Sequence, residues 1–162
     1  MLRIVLLVLL FASCSGSPGG PSQMNSTMNG GPEQVPQSSP VITADILSRE
    51  PLANAAQVKH ILIGWNDGEK EQKDPRAQKR TKKDAEDQVR SLMTQIKAGA
   101  DFDALMKQWS EDPGSASSGR AYPVAPDAQL VIEFKQLGLR LKVGEVGVVQ
   151  SDYGFHIMKR VE

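Results

Sequence analysis

From Val58 to Ile63 the chain reads Val-Lys-His-Ile-Leu-Ile, so Val58, His60 and Leu62 alternate with Lys59, Ile61 and Ile63 at the two-residue period of a β-strand. Gly64 to Arg80 is polar, charged and rich in turn formers, and is expected as an exposed loop. Thr81-Lys82-Lys83-Asp84 has the form of a capping box, after which Ala85, Val89, Leu92, Met93 and Ile96 keep helical spacing until Gly99. Asp101 is placed to cap a second helix, on which Phe102, Leu105, Met106 and Trp109 fall at i, i+3, i+4 and i+7. Ser110 to Gly119 is expected as turn and loop, and a third short helix carries Leu130, Val131, Phe134 and Leu137 up to Gly138. Glu145 to Gln150 and Tyr153 to Val161 read as two strands joined at Ser151-Asp152. Strand, two helices, loop, short helix and paired strands together predict an α+β domain over residues 55–162, with helices packed on a small antiparallel sheet.

Upstream of that domain the pattern changes character. Residues 41–54 are a lead-in, within which Thr43-Ala44-Asp45-Ile46-Leu47 either opens a short helix or simply leads into the domain. In Ser15 to Pro40, 16 of 26 residues are Ser, Gly or Pro and Glu33 is the single charge. Such a composition cannot bury enough surface to offset its ordering entropy, so residues 14–40 are expected to be a disordered tether. Met1-Leu2-Arg3 is a basic start followed by the apolar run Ile4 to Phe11. A helix needs about 20 apolar residues to span a bilayer, so this shorter run reads as the core of an export signal over residues 1–13.

Composition narrows the function classes. Nineteen basic and 19 acidic residues balance, which argues against a dedicated nucleic-acid binder. The lone cysteine, Cys14, excludes an internal disulfide framework and a cysteine-based zinc site. His60 and His156 are the only histidines.

Five segments resemble, in order and at compatible spacing, the parvulin-type (PpiC, rotamase) peptidyl-prolyl cis/trans isomerases. They are Val58-Lys59-His60-Ile61-Leu62, Ser110-Glu111-Asp112-Pro113-Gly114-Ser115-Ala116, Leu130-Val131-Ile132-Glu133-Phe134, Gly144-Glu145-Val146 and Tyr153-Gly154-Phe155-His156-Ile157-Met158-Lys159. The resemblance implies a sheet of about four strands, action on X-Pro bonds of unfolded or partly folded polypeptides, and no cofactor or metal. It also implies a proline pocket at Leu130, Val131 and Phe134, with Leu130 and Phe134 four apart on one helix face. His60 and His156 would form a hydrogen-bonded cluster with Asp112 and a hydroxyl from Ser151 or Tyr153. Phe11-Ala12-Ser13-Cys14 resembles a bacterial lipobox, which implies an acylated Cys14 holding the domain on a membrane of the cell envelope, facing the periplasm. By analogy with Gram-negative lipoproteins, Ser15 favours the outer membrane.

Several readings stay open on residues alone. The histidine pair is a structural element, a proton-transfer pair, or two thirds of a metal triad with Asp112. Asp112 is an electrostatic group beside the substrate carbonyl, or a turn former in Asp-Pro-Gly. Seven basic residues between Lys70 and Lys83 form a solvated loop, or a patch for anionic lipid or acidic clients. After Gly119 the family runs Gly-Asp-Leu-Gly-aromatic, whereas this chain has Arg120-Ala121-Tyr122-Pro123-Val124-Ala125-Pro126-Asp127. Pro123 predicts a short, irregular or edge strand. Ala121 stands where a pocket leucine is usual, with Tyr122 or Val124 as replacements. That departure also admits a peptide-binding, chaperone-like domain with weak or absent isomerase activity.

Overall fold

A computed structural model describes residues 39–68 and 72–162. The signal, Cys14 and the tether up to residue 38 lie outside the described residues, as does Lys70 of the basic segment. The elements are α1 (Ala44–Leu47), β1 (Ala56–Ile63), α2 (Pro75–Gln78), α3 (Lys82–Lys97), α4 (Phe102–Trp109), α5 (Pro113–Ser118), β2 (Tyr122–Val124), α6 (Ile132–Gly138), β3 (Val146–Ser151) and β4 (Gly154–Arg160). The four strands form one antiparallel sheet in the order β2-β1-β4-β3, with helices packed on both faces.

Because side chains alternate along a strand, the central pair β1 and β4 supplies both faces with core residues. Ile61, Ile63, Phe155 and Ile157 point to one face, where Ala85, Val89 and Leu92 of α3 and Phe102, Leu105 and Met106 of α4 cover them. Val58, Val149 and Met158 point to the other, under Phe134 and Leu137 of α6 with Val124, Leu139 and Leu141. Each fully buried side chain of this size contributes about 1.5–3 kcal/mol, so the two cores carry the domain.

The expected capping of α3 is present: Thr81 Oγ1 accepts from the Asp84 amide at 3.2 Å while Asp84 accepts from the Thr81 amide at 3.1 Å. β2 is three residues long and lies at the sheet edge, as Pro123 requires. β3 and β4 turn over Asp152-Tyr153, with Ser151 opposite Gly154. A Cβ on Gly154 would lie 2.5 Å from the Ile63 carbonyl oxygen, so only glycine lets β4 start against the end of β1.

Three expectations need correction. Ser110 to Gly119 is not all loop, because Asp112 caps and Pro113 opens the helix α5, which Gly119 ends in the left-handed region at φ 64°. Gly64 to Arg80 holds the helical turn α2, with Ala77 buried and the Asp74 side chain accepting from the Arg76 amide. The third helix begins at Ile132: the Leu130 amide bonds the Ala128 carbonyl at 2.8 Å in a tight turn, leaving Val131 as N-cap.

The 41–54 lead-in packs onto the domain instead of merely preceding it. Thr43 bonds Val148 through its backbone amide (3.0 Å) and its hydroxyl, covering part of the open edge of β3. Ile46 enters the core beneath α6, and Arg49 grips Glu145 through two bonds at 2.8 and 2.9 Å. The folded unit therefore starts upstream of the expected Ala55 boundary.

Candidate functional site

His60 on β1 and His156 on β4 are diagonal neighbours, since His60 pairs with Met158 and Leu62 with His156. Both fall on the α6 face, where the apolar core stops short, and both are buried. Their Nδ1 atoms are 3.2 Å apart. His156 Nε2 lies 2.7 Å from Ser151 Oγ, which also accepts from the Tyr153 amide at 3.1 Å. His60 Nε2 lies 3.2 Å from Asp112 Oδ2. The result is a continuous chain, Asp112–His60–His156–Ser151, with ring nitrogens engaged along it instead of converging on one point.

The protonation of this chain follows from its acceptors. The His60 hydrogen bond, with donors from Ser115 and Tyr122, holds the Asp112 carboxyl well below the usual carboxylate range against the opposing effect of burial. An ionised carboxylate only accepts, so His60 Nε2 carries a proton and donates. With His60 neutral, His156 Nδ1 donates to His60 Nδ1 and His156 Nε2 accepts from the Ser151 hydroxyl. A second proton on His60 reverses both bonds. Burial, and then the neighbouring His60 charge, push His156 down to about 3, so it stays neutral in either state.

Aromatic rings close the cluster. Phe134 stands perpendicular to both imidazoles, with centroids 5.0 Å from His60 and 5.4 Å from His156. Tyr122 meets His60 edge-on at 5.1 Å and donates its hydroxyl to Asp112 Oδ2 at 2.8 Å. Ser115 donates to the same oxygen through its amide (2.8 Å) and hydroxyl (2.6 Å). A cleft of about 560 Å³ is lined among others by Leu62, Gly64, Asp112, Val131, Glu133 and Tyr153.

Of the residues expected at the site, His60, His156, Asp112, Ser151 and Phe134 come together. Tyr153 does not bring its hydroxyl: the residue is 61% exposed in the β3–β4 turn and contributes its amide. Leu130 and Phe134 do not share a helix face, because Leu130 precedes α6; it packs at the margin of the core, while Val131 lines the cleft. Asp112 is at once a cap and a site residue, so its two readings coexist.

Glu111 and Ser115 join the site from within one of the motif segments, and Tyr122 from the stretch that departs from the family pattern. Tyr122, expected only as a replacement for the pocket leucine, acts here through its hydroxyl on Asp112. Glu111 is buried, bonds Arg80 at 2.6 Å and accepts from the Gly64 amide at 2.7 Å. That pair fastens the 64–80 segment beside Asp112. The basic residues of that segment are largely committed: Arg76 bonds Asp74 and the Gln108 and Ser110 carbonyls, and Lys82 lies 5.5 Å over the Trp65 ring. Lys73 is the cation that lines the cleft among the described residues.

Residues 45–162 match the family model of the PPIC-type PPIase domain. The chain is 40% identical over 72 residues to the foldase protein PrsA of Geobacillus kaustophilus, covering 44% of this chain and 26% of that one. It is 34% identical over 108 residues to the chaperone SurA of Nitrosospira multiformis, covering 65% of this chain and 22% of that one. The chain thus spans about a quarter of the length of these relatives. Among solved structures, the peptidyl-prolyl isomerase PrsA from Bacillus cereus superposes with a TM-score of 0.51 at 29% identity, over 74% of this chain and 38% of that one. The isomerase ESS1 from Candida albicans shares the fold at a TM-score of 0.59 and 24% identity, over 67% of this chain and 63% of that one.

Proposed function

Because the chain belongs to the PPIC-type peptidyl-prolyl isomerase family, we propose that it catalyses cis/trans rotation of X-Pro bonds in the cleft beside Asp112. Rotation breaks amide resonance and meets a barrier of about 18–20 kcal/mol. A 10⁴-fold acceleration requires roughly 5.5 kcal/mol of binding that is present only in the twisted state. No covalent bond forms or breaks. Val131, with Phe134 and Leu130 behind it, holds the pyrrolidine ring. Asp112 presents a negative charge that disfavours the resonant amide, whose carbonyl oxygen is itself negative. The His60–His156–Ser151 chain keeps that carboxylate ionised and aimed.

The observation that carries this reading is the convergence of His60, Ser115 and Tyr122 on Oδ2 of Asp112, a residue that lines the cleft. Measuring X-Pro exchange by NMR, or by protease-coupled assay, across peptides with varied X tests it. Acceleration is the expected result; a folded domain with none removes the assignment. Similarity to a protein named chaperone SurA favours a second reading, in which the cleft holds extended chains without isomerising them. Suppressed client aggregation without acceleration supports that alternative.

The site serves exported, partly folded clients in this proposal, with the domain tethered through acylated Cys14 to the envelope and favouring the outer membrane. The basic start, short apolar run and Phe11-Ala12-Ser13-Cys14 support it. Two acyl signals are needed for stable anchoring, at about 0.8 kcal/mol per buried methylene, which a multiply acylated cysteine supplies. Cys14→Ser is expected to release the protein from membranes or leave an unprocessed precursor; unchanged membrane retention refutes the anchor.

A further inference from the structure

We infer that Tyr122 is a positioning residue for Asp112, and that residue 114 is glycine in order to admit the Tyr122 hydroxyl. The inference rests on the isomerase reading only for its kinetic consequences.

Two independent observations carry it. The first is the bond itself: the Tyr122 hydroxyl donates to Asp112 Oδ2 at 2.8 Å, joining His60 Nε2 and both donors of Ser115 on one oxygen. Ser115 belongs to the helix that Asp112 caps, so it ties the carboxylate to its own element. His60 and Tyr122 tie it to the sheet, from β1 and from the edge strand β2, where Tyr122 pairs with Val58. Tyr122 is thus the contact through which the edge strand reaches the site, and its ring also meets Phe134 at 6.1 Å.

The second observation is Gly114. A Cβ there would lie 2.5 Å from the Tyr122 hydroxyl oxygen and 3.3 Å from Asp112 Oδ2, but 3.7 Å from Tyr122 Cζ. Gly114 sits inside α5 and is not among the glycines with positive φ, so neither a turn nor backbone strain requires glycine. Alanine is the better helix former at such a place. The space that glycine leaves is the space the hydroxyl occupies. Burial first, and the Asp112 carboxylate next, push the phenol up, so it remains a donor at neutral pH.

The test compares the full chain with Tyr122→Phe, Gly114→Ala and the double variant. Readouts are isomerase kinetics, thermal melting and ¹⁵N NMR of the His60 ring. Tyr122→Phe keeps the ring and is expected to lower kcat/KM about tenfold, the size associated with one hydrogen bond to a charged group. Gly114→Ala is expected to do the same by displacing the hydroxyl. The double variant should be no worse than either single one, because a phenylalanine ring carries no hydroxyl for the added methyl group to displace. In each, the ¹⁵N signals of the His60 ring should move while the melting temperature stays within a few degrees.

Additive losses in the double variant, unmoved His60 ring signals, or activity that falls only with the folded fraction would overturn the inference. The ring signals need no turnover, so an inactive wild type whose His60 signals respond to Tyr122→Phe sinks the isomerase reading alone.

Discussion

On one face of the sheet Ile61, Ile63, Val148, Phe155 and Ile157 meet α3 and α4, and the buried contacts there are apolar. On the other, Val58, Val149 and Met158 begin the same kind of core under α6, but His60, His156 and Ser151 take over further along β1, β3 and β4. Hydrocarbon packing is indifferent to proton positions and tolerates small adjustments. A buried polar chain is stable only when every member has a partner. That condition holds here: among the described residues no buried side-chain nitrogen or oxygen lacks one. Both faces therefore hold the domain together, but only one gives part of its core over to a defined arrangement of protons beside a cleft.

The sharpest way to break this contrast is Phe134→Ala. The ring is buried and meets both imidazoles, so its loss should cost about 3–5 kcal/mol in denaturant unfolding. It should also reduce kcat/KM by roughly a hundredfold, equivalent to about 2.7 kcal/mol of transition-state binding. Full activity in a folded Phe134→Ala protein would mean that the two faces are not functionally distinct. Leu92→Ala, fully buried on the opposite face, is expected to cost about 2–5 kcal/mol while leaving kcat/KM per folded molecule unchanged.

Acid titration separates the faces next. His156 is held neutral down to about 3, whereas an unfolded histidine takes up its proton near 6.5. Its contribution is complete above pH 6.5 and is lost as pH falls from there towards 3, at up to about 1.4 kcal/mol per pH unit. Asp112, whose folded value is depressed below the ordinary 3.8, adds its own loss as pH falls below about 3.8, overlapping the acid end of that window. Stability measured against pH should flatten from 6.5 down to 3.8, where the Asp112 loss sets in, in His156→Gln and keep its slope in Leu92→Ala. The smallest effect belongs to Ser151→Ala, which removes the terminal hydroxyl and should cost about 1 kcal/mol with a shift in the His156 ring signals.

Much of this arrangement was readable in the chain itself. Thr81 and Asp84 announce α3, Pro123 announces a short edge strand, and the alternation at Val58 to Ile63 announces β1, because each depends on neighbours within a few residues. The five motif segments were sufficient to place His60, Asp112 and His156 in one site. Where local chemistry had two outcomes, the sequence was silent. Asp112-Pro113-Gly114 serves a turn and a helix start equally well, and Leu130 has the spacing of a helical residue but commits its amide to a tight turn. What only the tertiary structure decided is who meets Asp112 beside the expected His60. Ser115 arrives from its own helix, while Tyr122 and His60 come from strands whose pairing joins residues more than 60 apart. The room for the Tyr122 hydroxyl exists because Gly114 has no Cβ. Contacts of that kind depend on the docking of one element on another, and no periodicity along the chain encodes them.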